Sequence, residues 1–232
     1  MTRPSTLRAG LCAGLVLLAG ACGPKHRLGE YDFRSGALTV SADVPARPDV
    51  LTGDLWVDPS GHPLQAVLRA GARAAREVSA RQVRERLDSA TALVGLEAVL
   101  EERTLRRASR YLGAASATSE EESDYVLEVF VSEYGIRATD WDATAYFYMD
   151  AAGTLLDRAD GSTIWRAELE AQDPVGSGVN GSGAVRDVVT AAAIAELTVE
   201  ETVQALEELA EFAATAITER LRRDMAEARE NR

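Results

Sequence analysis

Few residue sets in this chain could do chemistry, and each has a simpler reading. Gly176-Ser-Gly178-Val-Asn180-Gly181 matches G-x-G-x-x-G. A dinucleotide site needs a parallel strand running into such a loop and a helix opening within it, so that the pyrophosphate meets helix N-terminal N–H groups. Here Asp173-Pro174 ends any strand before the loop and helical character resumes only near Asp187, so the run reads as a Gly/Ser surface loop. The histidines, His26 and His62, lack the spacing that closes a zinc site. A Ser-His-Asp set would have to use His62, which sits beside Pro63 at a predicted helix start, where a turn or capping role fits. Asp140-Trp141-Asp142 places two carboxylates around an aromatic, as some sugar-binding and glycosidase loops do, but between two strands these read as solvated turn residues. Glu120-Glu121-Glu122 reads as a solvated loop. Neither a catalytic set nor a cofactor or metal site is expected, and the chain is not expected to be an enzyme.

The one position that points to covalent chemistry is Cys22. Arg3 and Arg8 precede the uncharged run Ala9–Ala21, and Lys25 follows it. That run is too short for a bilayer core, which takes about 20 helical residues, and it suits the apolar region of a cleavable signal peptide over residues 1–21. Leu18-Ala19-Gly20-Ala21-Cys22 resembles the lipobox of bacterial lipoproteins, where cleavage falls before the cysteine and lipid is placed on its sulfur. Ala19 departs from the commoner Leu, and Cys12, behind bulky Leu11, is a poor rival. Each buried CH₂ contributes about 0.8 kcal/mol and stable anchoring takes more than one acyl chain. The resemblance therefore implies a membrane anchor through lipid on Cys22. Gly23, where Asp would suggest inner-membrane retention, implies the periplasm-facing outer membrane.

Composition bounds what hangs from that anchor. The chain has 232 residues and a formal charge of −12, and loss of Arg3 and Arg8 with the leader makes it more acidic. An acidic balance excludes nucleic acid as the expected partner, since phosphate binding relies on clustered Lys and Arg. Cys22 is the only cysteine left after cleavage, so no intramolecular disulfide is available and the fold must hold by packing. Residues 22–60, with Pro24, Pro45, Pro48, Pro59 and scattered Gly, read as a lipidated N-terminus and extended tether. Ala37–Val44 and Leu51–Val57 within it alternate enough to be edge strands.

Residues 61–232 read as one α+β domain: an antiparallel β-meander packed against two or three helices, the last one long. Pro63 opens a helical pattern through Leu64, Val67, Leu68, Gly71, Ala75 and Val78, with a solvated arginine face that includes Arg81 and Arg84. A second helix is predicted from about Leu96 to Leu112, stopped by Gly113. Tyr125–Val131, continuing to Ile136, and Ala143–Met149 read as strands. Leu155–Trp165 reads as a hairpin turning at Asp160-Gly161. Thr198-Val-Glu-Glu201 is a capping box that opens an apolar stripe of Val199, Val203, Leu206, Ala210, Ala213, Ile217 and Leu221. The core is expected to join Leu127, Val129, Phe147 and Ile164 to Leu206, Ala213 and Ile217.

This order of elements, with "LLDRADGSTIW" at 155–165, resembles the small α/β domain of envelope lipoproteins such as penicillin-binding-protein activators and curli-secretion lipoproteins. In those a strand pair around L-x-D-x-x-T-G-x-x-x-W recurs. Asp157, Gly161 and Trp165 fit the pattern; Ser162 and Thr163 follow the glycine where the family has Thr before it. The resemblance implies fold and compartment more than activity. The expected function is a non-catalytic interaction or assembly module that binds another envelope protein. The alternative is an auxiliary lipoprotein of a lipid-transport system with an apolar ligand pocket. The expected partner contacts are Asp140, Trp141 and Asp142 at a hairpin tip, and Gly178 and Asn180 in the 173–186 loop.

Overall fold

The computed structural model describes residues 26–52, 81–138, 145–174 and 196–230. Cys22, the segment from Pro63 to Val78, Asp140–Asp142, Gly178 and Asn180 lie outside them. The described residues build one sheet with its helices on one face, the α+β class expected. The strands are β1 (Ala37–Asp43), β2 (Asp49–Thr52), β3 (Ala115–Ser116), β4 (Tyr125–Ala138), β5 (Ala145–Asp157) and β6 (Thr163–Pro174). The helices are α1 (residues 81–94), α2 (Leu96–Leu112) and α3 (Val199–Glu230).

The local signals behave as their chemistry dictates. Gly113 takes φ +77° and donates its N–H to the Ser109 carbonyl, which stops α2. Thr198 and Glu201 exchange side-chain-to-backbone hydrogen bonds of 3.2 and 2.8 Å at the start of α3. Gly161 takes φ +70° in the β5–β6 turn, where the Asp160 and Asp157 carboxylates accept from the Ser162 and Ala159 N–H groups. Arg81 and Arg84 are exposed, while Val83, Leu87, Ala90 and Val94 turn the other side of α1 into the core.

β4, β5 and β6 form the expected antiparallel meander. The sheet as a whole is mixed, because β1 and β2 run parallel to β4 along the same edge. β1 pairs with Tyr125–Phe130 and β2 with Gly135–Ala138, so the two are one long strand interrupted where Pro45 and Pro48 cannot donate to a ladder. β1 is not a simple edge strand: β3 covers its first two residues, and beyond them its Ala42 N–H is taken by the Glu101 carboxylate of α2 at 3.0 Å.

The tether expected over 22–60 does not hold for its described part, and the domain does not begin at 61. Two single-turn 3-10 helices, Leu28–Glu30 and Phe33–Ser35, and β1 bury Leu28, Phe33 and Leu38 in the core. Tyr31, Phe33 and Tyr125 stack edge and face against one another, and the Arg27 N–H donates to the Ile164 carbonyl. Proline and glycine here punctuate packed turns, not a stalk.

The core lies between the sheet and α2 and α3. One row crosses four strands in register, Val40, Leu127, Leu155 and Trp165, all buried. Every residue expected in the core is buried, including Ile164, Leu206 and Ile217. α3 comes so close to the sheet that a Cβ on Gly153 would meet Ile217 at 3.0 Å.

Candidate functional site

The helices cover one sheet face, and among the described residues no element covers the other. Register and alternation define that outer face. One row runs Asp43, Phe130, Ala152, Glu168 across β1, β4, β5 and β6. The next runs Ser41, Glu128, Thr154, Arg166, and a third holds Thr39, Val126 and Leu156. Phe130 is 53% exposed at the centre of the first row. It borders an open hollow of about 620 Å³ whose lining includes Ser132, Asp150, Ala152, Arg166 and Glu168.

A bulge sets which residues reach this face. Between Val131 and Glu133 the register with β5 slips, and Ser132 is the extra residue, its hydroxyl donating to the Asp150 carbonyl at 3.0 Å. One inserted residue reverses the alternation. Before the bulge Leu127, Val129 and Val131 face the core; after it Tyr134 and Ile136 do. Phe130 lies outside by alternation with Val129 and Val131, and past the bulge Glu133, Gly135 and Arg137 join the outer face.

Those residues build a compact polar cluster in the turn-end half of the β4–β5 hairpin. Tyr148 lies opposite Gly135 and is fully buried although it belongs to the outer face. The Arg137 guanidinium sits 4.0 Å from its ring centroid, the Tyr148 hydroxyl donates to Glu133 at 3.2 Å, and Arg137 lies 3.6 Å from Asp150. Burial, then the Glu133 charge and hydrogen bond, push the Tyr148 phenol up to about 12, against the opposing pull of Arg137. A folded pKa above the unfolded one gives stability that is complete below about pH 10 and is lost as pH rises towards 12. Alkaline absorbance titration is expected to show a tyrosine ionising near pH 12. In Glu133→Gln its pKa should fall back towards 10; an unchanged profile would mean that Glu133 has no part in it.

A second hollow, also about 620 Å³, opens between the Val44–Arg47 loop and the α1–α2 junction, where Gly95 takes φ +58°. Asp88, Thr91 and Glu97 line it and Tyr134 forms its floor. Burial foremost raises the Tyr134 pKa; its Thr91 neighbour opposes this, and Asp88 and Glu97 add to it. Like the first, this hollow is open and carries charged groups, unlike an enclosed apolar ligand cavity.

Of the residues singled out in the sequence, the Glu120–Glu122 run forms an exposed 3-10 turn. His26 lies at the start of the described residues with Nδ1 buried and without a hydrogen-bond partner among them. Among the described residues no group of three His, Cys, Asp or Glu could hold a metal ion, and no helix is long and apolar enough to cross a membrane. The outer-face residues went unremarked in the sequence. Their only signal is the Tyr-Val-Leu-Glu-Val-Phe-Val run, apolar on both sides of the strand where a one-sided sheet calls for polar residues on one.

No family model matches the chain, and no curated protein does. Several solved structures resemble it remotely. A candidate lipoprotein from Caulobacter crescentus CB15 is 17% identical, covers 57% of this chain and 84% of its own, and gives a TM-score of 0.35. A Xanthomonas campestris protein is 21% identical over 54% of this chain and 63% of its own, less than two thirds of that protein's length, with a TM-score of 0.29. The PelC dodecamer from Paraburkholderia phytofirmans is 16% identical over 48% of this chain and 74% of its own, with a TM-score of 0.30. None of these names the penicillin-binding-protein-activator or curli-secretion families, and likenesses this remote assign neither ligand nor partner.

Proposed function

We propose that the chain is a non-catalytic interaction or assembly module of the bacterial cell envelope, held on the periplasmic side of the outer membrane by lipid on Cys22. The observation that carries this reading is the uncovered sheet face with Phe130 exposed at its centre. A half-exposed phenylalanine in the middle of an uncovered sheet offers a partner an aromatic anchor. The anchor rests on the Leu18–Cys22 lipobox resemblance and on the uncharged run before it. The carrier alternative needs a concave, largely apolar cavity of several hundred Å³, whereas the two hollows described above are open and each carries charged groups.

Photo-crosslinking in cells tests both parts. A photoreactive phenylalanine analogue at position 130 of the lipidated protein is expected to trap another envelope protein, and the same group at position 120 is not. In Cys22→Ser, lipidation should vanish and the uncleaved precursor should accumulate. A normally processed, membrane-bound Cys22→Ser protein would overturn the anchor, and a bare position 130 would overturn the interaction face.

A further inference from the structure

We infer, resting on the interaction-module reading, that the outer sheet face receives a cationic amphipathic helix of a partner protein, laid along the strands. The residues on that face carry the argument. Asp43 and Glu168 close the two ends of the row that has Phe130 and Ala152 between them. Three strand spacings separate β1 from β6, about 14 Å, and a helix with its side chains is about 10–12 Å across. A helix centred on Phe130 and Ala152 therefore brings its two flanks over the two carboxylates. Glu128, one row along on β4, is exposed and has no ion pair among the described residues. Leu156, half-buried on β5, extends the apolar track along the strand direction beside the buried Val126. Arg166 and Glu168 lie 3.5 Å apart with both side chains exposed, a weak pair that leaves Glu168 open to a partner, and Asp43, Glu128 and Glu168 against Arg166 keep the face acidic.

The same charges disfavour the other occupants. A second copy of this face would set Asp43, Glu128 and Glu168 against their own kind. An anionic lipid surface would be repelled for the same reason. A partner strand adds at a sheet edge through backbone hydrogen bonds, whereas this surface is the middle of a sheet. What fits is an apolar stripe flanked on both sides by Lys or Arg.

The test uses the lipidated full-length chain in detergent and two synthetic helical peptides with the same leucine stripe. One is flanked by lysines and the other by glutamates. Fluorescence anisotropy is expected to show binding of the lysine peptide, weakening as salt is raised, and none of the glutamate peptide. Phe130→Ser should weaken binding at least about tenfold. Joint Asp43→Asn and Glu128→Gln should weaken it about fivefold and flatten the salt dependence. Joint Glu120→Gln and Glu121→Gln, remote acids of the same charge, should leave it unchanged, which separates this face from general attraction to an acidic protein. Equal binding of both peptides, or indifference to Phe130→Ser, would overturn the inference. So would crosslinks from position 130 that map to residues 53–80 of the same chain. A crosslinked partner segment without flanking basic residues would overturn the helix while leaving the interaction module standing; absence of any adduct removes the module itself.

Discussion

Gly135→Ala is expected to cost about 3 kcal/mol of folding stability or more, and to release β2 from the sheet. Gly135 holds φ +152°, and a Cβ there would lie 1.8 Å from the Asp49 carbonyl oxygen and 2.7 Å from its carbonyl carbon. Both are backbone atoms of the register partner, so no side-chain rotation relieves the clash. The strand must move, and the cost combines backbone strain with the lost ladder. Gly161→Ala makes the contrast. Its φ is +70° but nothing lies within 4 Å of the added carbon, so only conformational strain of about 1 kcal/mol is expected. The Gly135 variant carries a second signature. β2 brings Asp49 close to Tyr148, and the Tyr148 ring lies opposite Gly135. With β2 displaced, water reaches that ring and its pKa should fall from about 12 towards 10. Urea unfolding and alkaline titration of the same variant check both effects. A loss below about 0.5 kcal/mol would mean that β2 does not pair with β4 at Gly135.

What the sequence reveals and what it hides divide by range. The α2 stop at Gly113, the Thr198–Glu201 capping box and the Asp160-Gly161 turn each depend on groups a few residues apart, and each is readable from the chain. The buried stripe of α3 follows from helical period alone. Residues 28–43 are different. Their burial depends on β4, which begins more than 80 residues later, and their own composition resembles that of a linker. The Ser132 bulge is hidden for a related reason. Val126, Leu127, Val129, Phe130 and Val131 are all apolar, so alternation does not say which set faces inward; the helices α2 and α3 decide that. Phe130, the centre of the candidate site, could therefore not be told from core. Tyr148 is hidden twice, since its burial needs both Gly135 opposite and β2 alongside. The hairpin tip and glycine loop singled out for partner contact lie outside the described residues.

The inner face of the sheet is covered by α2 and α3, which are also tied to each other. Arg103 and Arg107 of α2 converge on Glu211 of α3, and the Tyr111 hydroxyl donates to Glu219 at 2.6 Å. These half-exposed pairs set the register between the helices more than they add stability. The contact of α3 with the sheet is of another kind, because it is buried and joins an aromatic to a carboxylate.

Trp165→Ala is expected to cost about 3–5 kcal/mol, a large part of the roughly 5–15 kcal/mol that holds a domain folded. Trp165 is 1% exposed, pairs in register with Leu155, and packs over Gly153 beside Ile217 of α3. Its indole N–H donates to the Asp224 carboxylate of α3 at 2.8 Å, and Arg220, one turn earlier, lies 3.1 Å from the same oxygen. In sequence Asp224 looks like a surface residue of an Arg-rich helix end; in the fold it is only 6% exposed. Asp224→Leu should cost about 1–3 kcal/mol, because it strands the buried indole N–H without an acceptor and removes the ion pair of the half-exposed Arg220. Trp165→Phe keeps most of the apolar volume and removes that donor. The double variant Trp165→Phe with Asp224→Leu is therefore expected to be more stable than the sum of the two single losses predicts, by about 1 kcal/mol or more. Urea unfolding followed by circular dichroism measures all four corners of the cycle. Additive losses would show that the indole–carboxylate bond contributes nothing of its own and that β6 and α3 are joined by packing alone. A coupled pair would mean that this buried hydrogen bond, in addition to packing, latches α3 to β6.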